Sequence, residues 1–276
     1  MAAVSMDMDR GHGRVLGLTR AGIWVLAVLA AANGLWLYFL PGRAETEYAW
    51  SIKPPVNAAF IGAGFLAGTV ATGLVLATAT RWRTFATLPI ALWVLASSLL
   101  LATIVHHDRF KWDYPPTWVW TFVYGAVPLA IPFLVARQRG VADEQPTPDS
   151  RLRMIRVLSA VIGALMIVGA VALFLAPVDL GKHWPWPLTP LLARAVAAWY
   201  ALFGTMLVSC AIGLRRPAEA LIPYATLASW CVLLLLLPVL HPDDVSGAGL
   251  WIAGMVALLA LAAYALSIAL PARKAL

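Results

Sequence analysis

The chain has 276 residues, of which 62% are hydrophobic and 12% charged, with a mean hydropathy of +0.82. A water-soluble domain carries about 25% charged residues, so half that share excludes a soluble enzyme. The abundance of aliphatic and aromatic side chains likewise excludes a disordered chain.

A helix crossing a bilayer needs roughly 20 mostly apolar residues, and eight such runs occur. They lie near residues 21–40, 56–79, 85–105, 117–136, 155–176, 190–213, 219–240 and 249–270. Their interiors hold almost no charge, and no stretch shows the alternation of a membrane barrel strand. The predicted fold is therefore all-α, an integral membrane protein of eight transmembrane helices. The first run follows three arginines but exceeds the short apolar core of a signal peptide, and it reads as a retained helix.

Orientation follows from the basic residues. With the N-terminus inside, the inner segments hold Arg10, Arg14, Arg20, Arg81, Arg83, Arg137, Arg139, Arg151, Arg153, Arg156, Arg215, Arg216, Arg273 and Lys274. That is 14 of the 20 Lys and Arg residues. Both termini are then expected in the cytoplasm, with the chain in a plasma (inner) membrane. The arginine-rich, alanine- and leucine-rich composition suggests a bacterial source. A net charge of +7 spread over loops beside membrane helices is explained by topology and anionic headgroups, without nucleic acid. Cys210 and Cys231 fall within spans and form no metal or disulfide pattern.

Internal repetition is the strongest signal. At an offset of 136, Pro41 meets Pro177, Trp50 meets Trp186, Pro54 meets Pro190 and Gly68 meets Gly204; at 135, His106 meets His241 and Asp108 meets Asp243. After a slip in an inner loop, Arg81 meets Arg215 and Pro89 meets Pro223. Four spans per copy give parallel copies related by a pseudo-two-fold axis along the membrane normal. The expected organisation is an N-terminal tail (1–20), a first four-helix repeat (21–136), a polar linker (137–154), a second repeat (155–270) and a short tail (271–276). Gly64 and Gly68 form a small-residue face for close helix packing, and Pro128, Pro132 and Pro238 have the potential to break helices.

The outer loops gather the chemistry. Histidines 106, 107, 183 and 241 lie there with Asp108, Asp113, Asp243 and Asp244 and many tryptophans. Interfacial placement alone accounts for most of these rings. However, Trp50 and Trp186 share a W-x-x-x-P context, as if two proline-stiffened loops roofed the bundle. Trp50, Lys53, Trp118, Trp186 and Arg194 are accordingly candidates for binding an amphipathic ligand, such as a lipid or quinone-like molecule, or a membrane protein partner. Arg194 stands inside a span where its first-repeat counterpart is Ala58, about 6 Å along the helix beyond Pro190, close enough to snorkel to the headgroups.

His106 and His241 end equivalent spans, each followed two residues later by an aspartate. Facing each other across the axis, with Asp108 and Asp243 orienting the rings, they would suit haem or metal. No acid lies within a span, which argues against an ion-coupled transporter, and no nucleophile accompanies the histidines. The leading reading is a non-enzymatic binding or accessory protein acting on its extracytoplasmic face. The alternatives are a redox protein ligating haem or metal and an uncoupled small-molecule transporter.

Overall fold

The computed structural model describes residues 14–139 and 146–273. Arg10, Lys274 and residues 140–145 of the expected linker lie outside the described residues. Eight helices are long and apolar enough to cross a membrane, and no strand occurs among the described residues. They are α1 (Gly17–Phe39), α2 (Pro55–Thr78), α3 (Leu88–Val105), α4 (Pro115–Arg139), α5 (Arg153–Leu175), α6 (Pro190–Gly213), α7 (Leu221–Leu235) and α8 (Gly249–Ala269). The chain is an all-α polytopic membrane protein.

Helices α2, α6 and α7 are the most enclosed, while α1 and α4 are the least. The outer surface bears Val28, Leu129, Leu165, Val168 and Leu250 exposed, which only lipid can solvate. Neighbours recur in a regular order. Helix α1 packs on α2, α5 on α6, α3 on α4 and α7 on α8. Across the molecule, α3 lies against α6 and α7 against α2. The tryptophan-rich loops gather at one face, and Arg14, the first described residue, pairs through its backbone with Arg81 at the other.

The prolines act in different ways. Helix α4 runs unbroken through Pro128 and Pro132. Because Pro132 has no N–H, the Pro128 carbonyl one turn earlier lacks its helical donor; the Trp93 indole donates to it instead at 3.0 Å. Near Pro238 the helix does break. Helix α7 ends at Leu235, and a separate short turn, Leu237–Leu240, continues to His241.

On the terminal face, Gln138 at the end of α4 accepts from the Leu16 N–H at 3.1 Å and donates to the Arg14 carbonyl at 2.7 Å. Buried Glu219 accepts from the backbone N–H groups of Arg215 and Arg216 and from Arg83 at 3.3 Å. These contacts join the loop between α2 and α3 to the loop between α6 and α7.

Small residues set the closest helix contacts. A Cβ on Gly64 would stand 2.6 Å from the Trp199 ring of α6, whereas one on Gly68 would meet only the Ala30 methyl at 3.8 Å. Gly163 and Gly204 face each other so closely that a Cβ on either would come within 2.9 Å of the other's carbonyl oxygen. Of the expected small-residue face, Gly64 is therefore the critical member. We expect Gly64→Val to destabilise the protein by about 1–3 kcal/mol, the usual cost of overpacking. Gly68→Ala, in open space, should be neutral or stabilising by up to about 1 kcal/mol through helix propensity. Thermal unfolding in detergent would measure both.

Candidate functional site

Two segments shape the tryptophan face: residues 48–54 leading into α2 and residues 184–189 leading into α6. Each is pinned by one backbone hydrogen bond from a loop that follows a helix. The Lys111 N–H donates to the Ala49 carbonyl at 3.0 Å, and the Ser246 N–H donates to the Pro185 carbonyl at 2.8 Å. Rings then stack edge-on above the helix ends. Trp50 meets Trp120 at 4.7 Å and Tyr48 at 4.9 Å; Trp186 meets Trp251 at 5.3 Å and Trp184 at 5.6 Å. Such aromatic pairs add about 0.5–1.5 kcal/mol each beyond burial. Trp50 and Trp186 are both only 2% exposed, so neither is a free surface ring.

Asn57, in the first turn of α2, connects these segments. Its Oδ1 accepts the Trp186 indole N–H at 3.0 Å, and its Nδ2 donates to the carbonyls of Lys53 at 3.2 Å and Pro187 at 3.0 Å. A carboxamide offers one carbonyl and two N–H donors, and every one of these groups is engaged. The neighbouring Val56 N–H donates to Asp244 Oδ2 at 3.3 Å, a carboxylate at the positive end of a helix. The residue 136 positions beyond Asn57 is Ala193, which has no such amide. Among the described residues the Trp50 indole N–H has no hydrogen-bond partner; its ring packs against Tyr48, Phe110 and Trp120, and its backbone bridges to Phe110.

Around this anchor are two adjoining hollows. One, of about 470 Å³, is lined by Lys182, Trp184, Trp186, Pro187, Leu188 and Ser246 among others. The other, of about 430 Å³, is lined by Lys53, Pro54, Pro187, Asp243 and Asp244. Pro187 borders both. Lys53 also pairs with Glu45 at 2.8 Å. Both hollows are open to the surroundings; the larger has a mixed wall of rings, prolines and polar groups, and the smaller is lined mainly by charged side chains.

The sequence candidates do not converge on one point. Trp186 lines the larger hollow, while Lys53 and Asp243 line the smaller. Trp50 borders neither. Trp118 is 59% exposed and its indole donates to the Trp112 carbonyl at 2.9 Å, as an interfacial anchor would. Asp108 pairs with its own neighbour Arg109 at 3.1 Å.

Arg194 donates to His106 Nε2 at 2.6 Å and lies over the Phe174 ring at 5.6 Å. It therefore contacts α3 and α5 as well as reaching towards the headgroup level. Since a guanidinium has no lone pair to offer, His106 accepts as a neutral imidazole. Burial lowers its pKa from the ordinary 6.5, and the cationic Arg194 lowers it further.

His106 and His241, expected to form a pair, have different polar neighbours. His241 Nδ1 lies 3.8 Å from Asp244 Oδ2, three residues on rather than two, and no contact joins the two histidines among the described residues. Nor do those residues contain a group of three or more His, Cys, Asp or Glu side chains able to hold a metal. The packing of α3 on α6 brings Arg194 to His106.

Sequence reasoning passed over Asn57 and Ser246. An amide at the start of an otherwise apolar span was the available signal for the first; nothing in the sequence marked the second.

We expect Asn57→Ala to cost about 1–3 kcal/mol for each buried group left unpaired, read as a lowered unfolding temperature. His106 supplies a pH test. An unfolded histidine takes up a proton near 6.5, whereas the folded one resists, so acid favours the unfolded chain. This contribution is present above that value and is lost as pH falls below it. His106→Gln should flatten that part of the melting-temperature profile.

Neither a family model, nor a curated protein, nor a solved structure matches the chain.

Proposed function

We propose that the chain is a duplicated, non-enzymatic membrane protein that binds an amphipathic molecule at its extracytoplasmic face, in the hollow beside Trp184 and Trp186. The observation that carries the reading is that hollow itself. Its volume of about 470 Å³ falls in the range of ligand sites, roughly 300–1,000 Å³. Its wall combines indole rings, prolines and a leucine with Lys182 and Ser246, so it suits a molecule with one polar end and one apolar end.

Duplication is supported by contacts that recur at the sequence offset. Ala49 and Pro185 accept equivalent loop hydrogen bonds from Lys111 and Ser246. The helix pairings α1–α2 and α5–α6, α3–α4 and α7–α8, and α3–α6 and α7–α2 correspond in the same way. The arginines of the face opposite the tryptophans support a cytoplasmic position for it, and so an extracytoplasmic tryptophan face in a plasma membrane is part of the proposal.

Native mass spectrometry of the detergent-purified protein tests the reading. The wild type should retain a lipid- or quinone-like molecule that Trp184→Ala combined with Trp186→Ala loses, while Trp118→Ala keeps it. Equal retention by all three, or none by the wild type, would exclude this site and favour a role as an accessory subunit of a membrane partner.

A further inference from the structure

The position of Ser246 carries a more specific conclusion. Lys111, whose N–H makes the loop bond equivalent to that of Ser246, extends its side chain so that Nζ donates to the carbonyls of Glu45 at 3.0 Å and Thr46 at 2.8 Å. The residues 136 positions beyond Glu45 and Thr46 are Gly181 and Lys182. Both line the 470 Å³ hollow, and so does Ser246. On one side of the molecule a lysine reaches those two loop carbonyls from an exposed position. On the other, the lysine is shortened to serine and the hollow is open.

We propose that this hollow is a vacated lysine socket that takes a primary ammonium group, carried in by an amphipathic ligand. The proposal rests on the binding site assigned above and names the chemistry of its ligand. An ammonium group has three donors and no acceptor, which suits carbonyl oxygens and the Ser246 hydroxyl. The Gly181 carbonyl accepts the Trp184 N–H at 3.1 Å and retains a second lone pair for such a donor. Indole rings attract cations within about 6 Å of the ring centre, and the half-buried Trp184 forms part of the wall. Lys182, the cation already present, lies 3.7 Å from the exposed Asp179, which partly offsets its charge. The hollow adjoins the first turn of α6 at Pro190, the level at which lipid headgroups lie.

The test compares phosphatidylethanolamine with phosphatidylcholine, whose quaternary ammonium has no N–H, by native mass spectrometry of the full chain. Hexylammonium chloride serves as the soluble amine. The wild type should retain phosphatidylethanolamine about tenfold better than phosphatidylcholine, the scale of hydrogen bonds to a charged group. Ser246→Lys should abolish that preference by filling the socket from within, and Ser246→Ala should keep most of it. Lys111→Ser should open a second site and raise the number of phosphatidylethanolamine molecules retained; this second variant decides the outcome if Ser246→Lys fails to fold. Displacement by hexylammonium at equal concentration would identify the ammonium as sufficient and a soluble amine as the source, whereas its failure to compete alongside retained ethanolamine lipid would identify a headgroup. Retention of lipid without preference for the primary ammonium, or a preference unchanged in Ser246→Lys and in Lys111→Ser, would overturn the socket while leaving the amphiphile site standing. No retention at all would remove both.

Discussion

Hydrocarbon supplies no hydrogen bonds, so a polar group near the membrane must find its partner within the chain or at the headgroup layer. Asn57 meets this demand with all of its donors and its acceptor engaged. In doing so it ties the first turn of α2 to the loop that precedes α6. The position of the Trp186 ring, the course of the backbone at Pro187 and hence the walls of both adjoining hollows follow from that amide. Pro128 illustrates the same demand elsewhere, with its unpaired carbonyl filled by the Trp93 indole.

Departures from symmetry matter more here than symmetry. Under the proposed duplication, the newly doubled chain had two equivalent loops, one per repeat, each roofed by aromatic rings. The present chain treats them differently. Asn57 has Ala193 as its counterpart, Lys111 has Ser246, and Arg194 has Ala58. Trp50 is enclosed by aromatic rings, whereas Trp186 is held by an amide and borders an open hollow. On the proposed reading, a doubled scaffold would gain one site without dismantling its packing, because the changes fall in loops and first turns rather than in the glycine contacts between helices.

The spans were legible because the requirement for about 20 apolar residues is a property of the bilayer rather than of any particular neighbour. All eight fall within a few residues of expectation. The break before Pro238 and the continuity of α4 through two prolines were less so, since both depend on whether a side chain can satisfy the freed carbonyl. The matched Trp50 and Trp186 contexts were visible, but their burial was not, for it arises from Trp120 and Trp251 at the starts of later helices. The partners of His106 and His241 were also hidden. An offset between residues states which positions correspond, not which helices touch, and the packing of α3 on α6 sends Arg194 to His106. Asn57 and Ser246 escaped notice for the same reason.

An experimental density map of the protein in lipid nanodiscs containing phosphatidylethanolamine would test the account most directly. The prediction is elongated density in the hollow between Trp184, Trp186 and Ser246, with its polar end against Gly181 and Lys182 and its tail running towards the bilayer. A hollow filled only by water or collapsed onto the Trp186 ring, with ordered lipid elsewhere on the molecule, would contradict it.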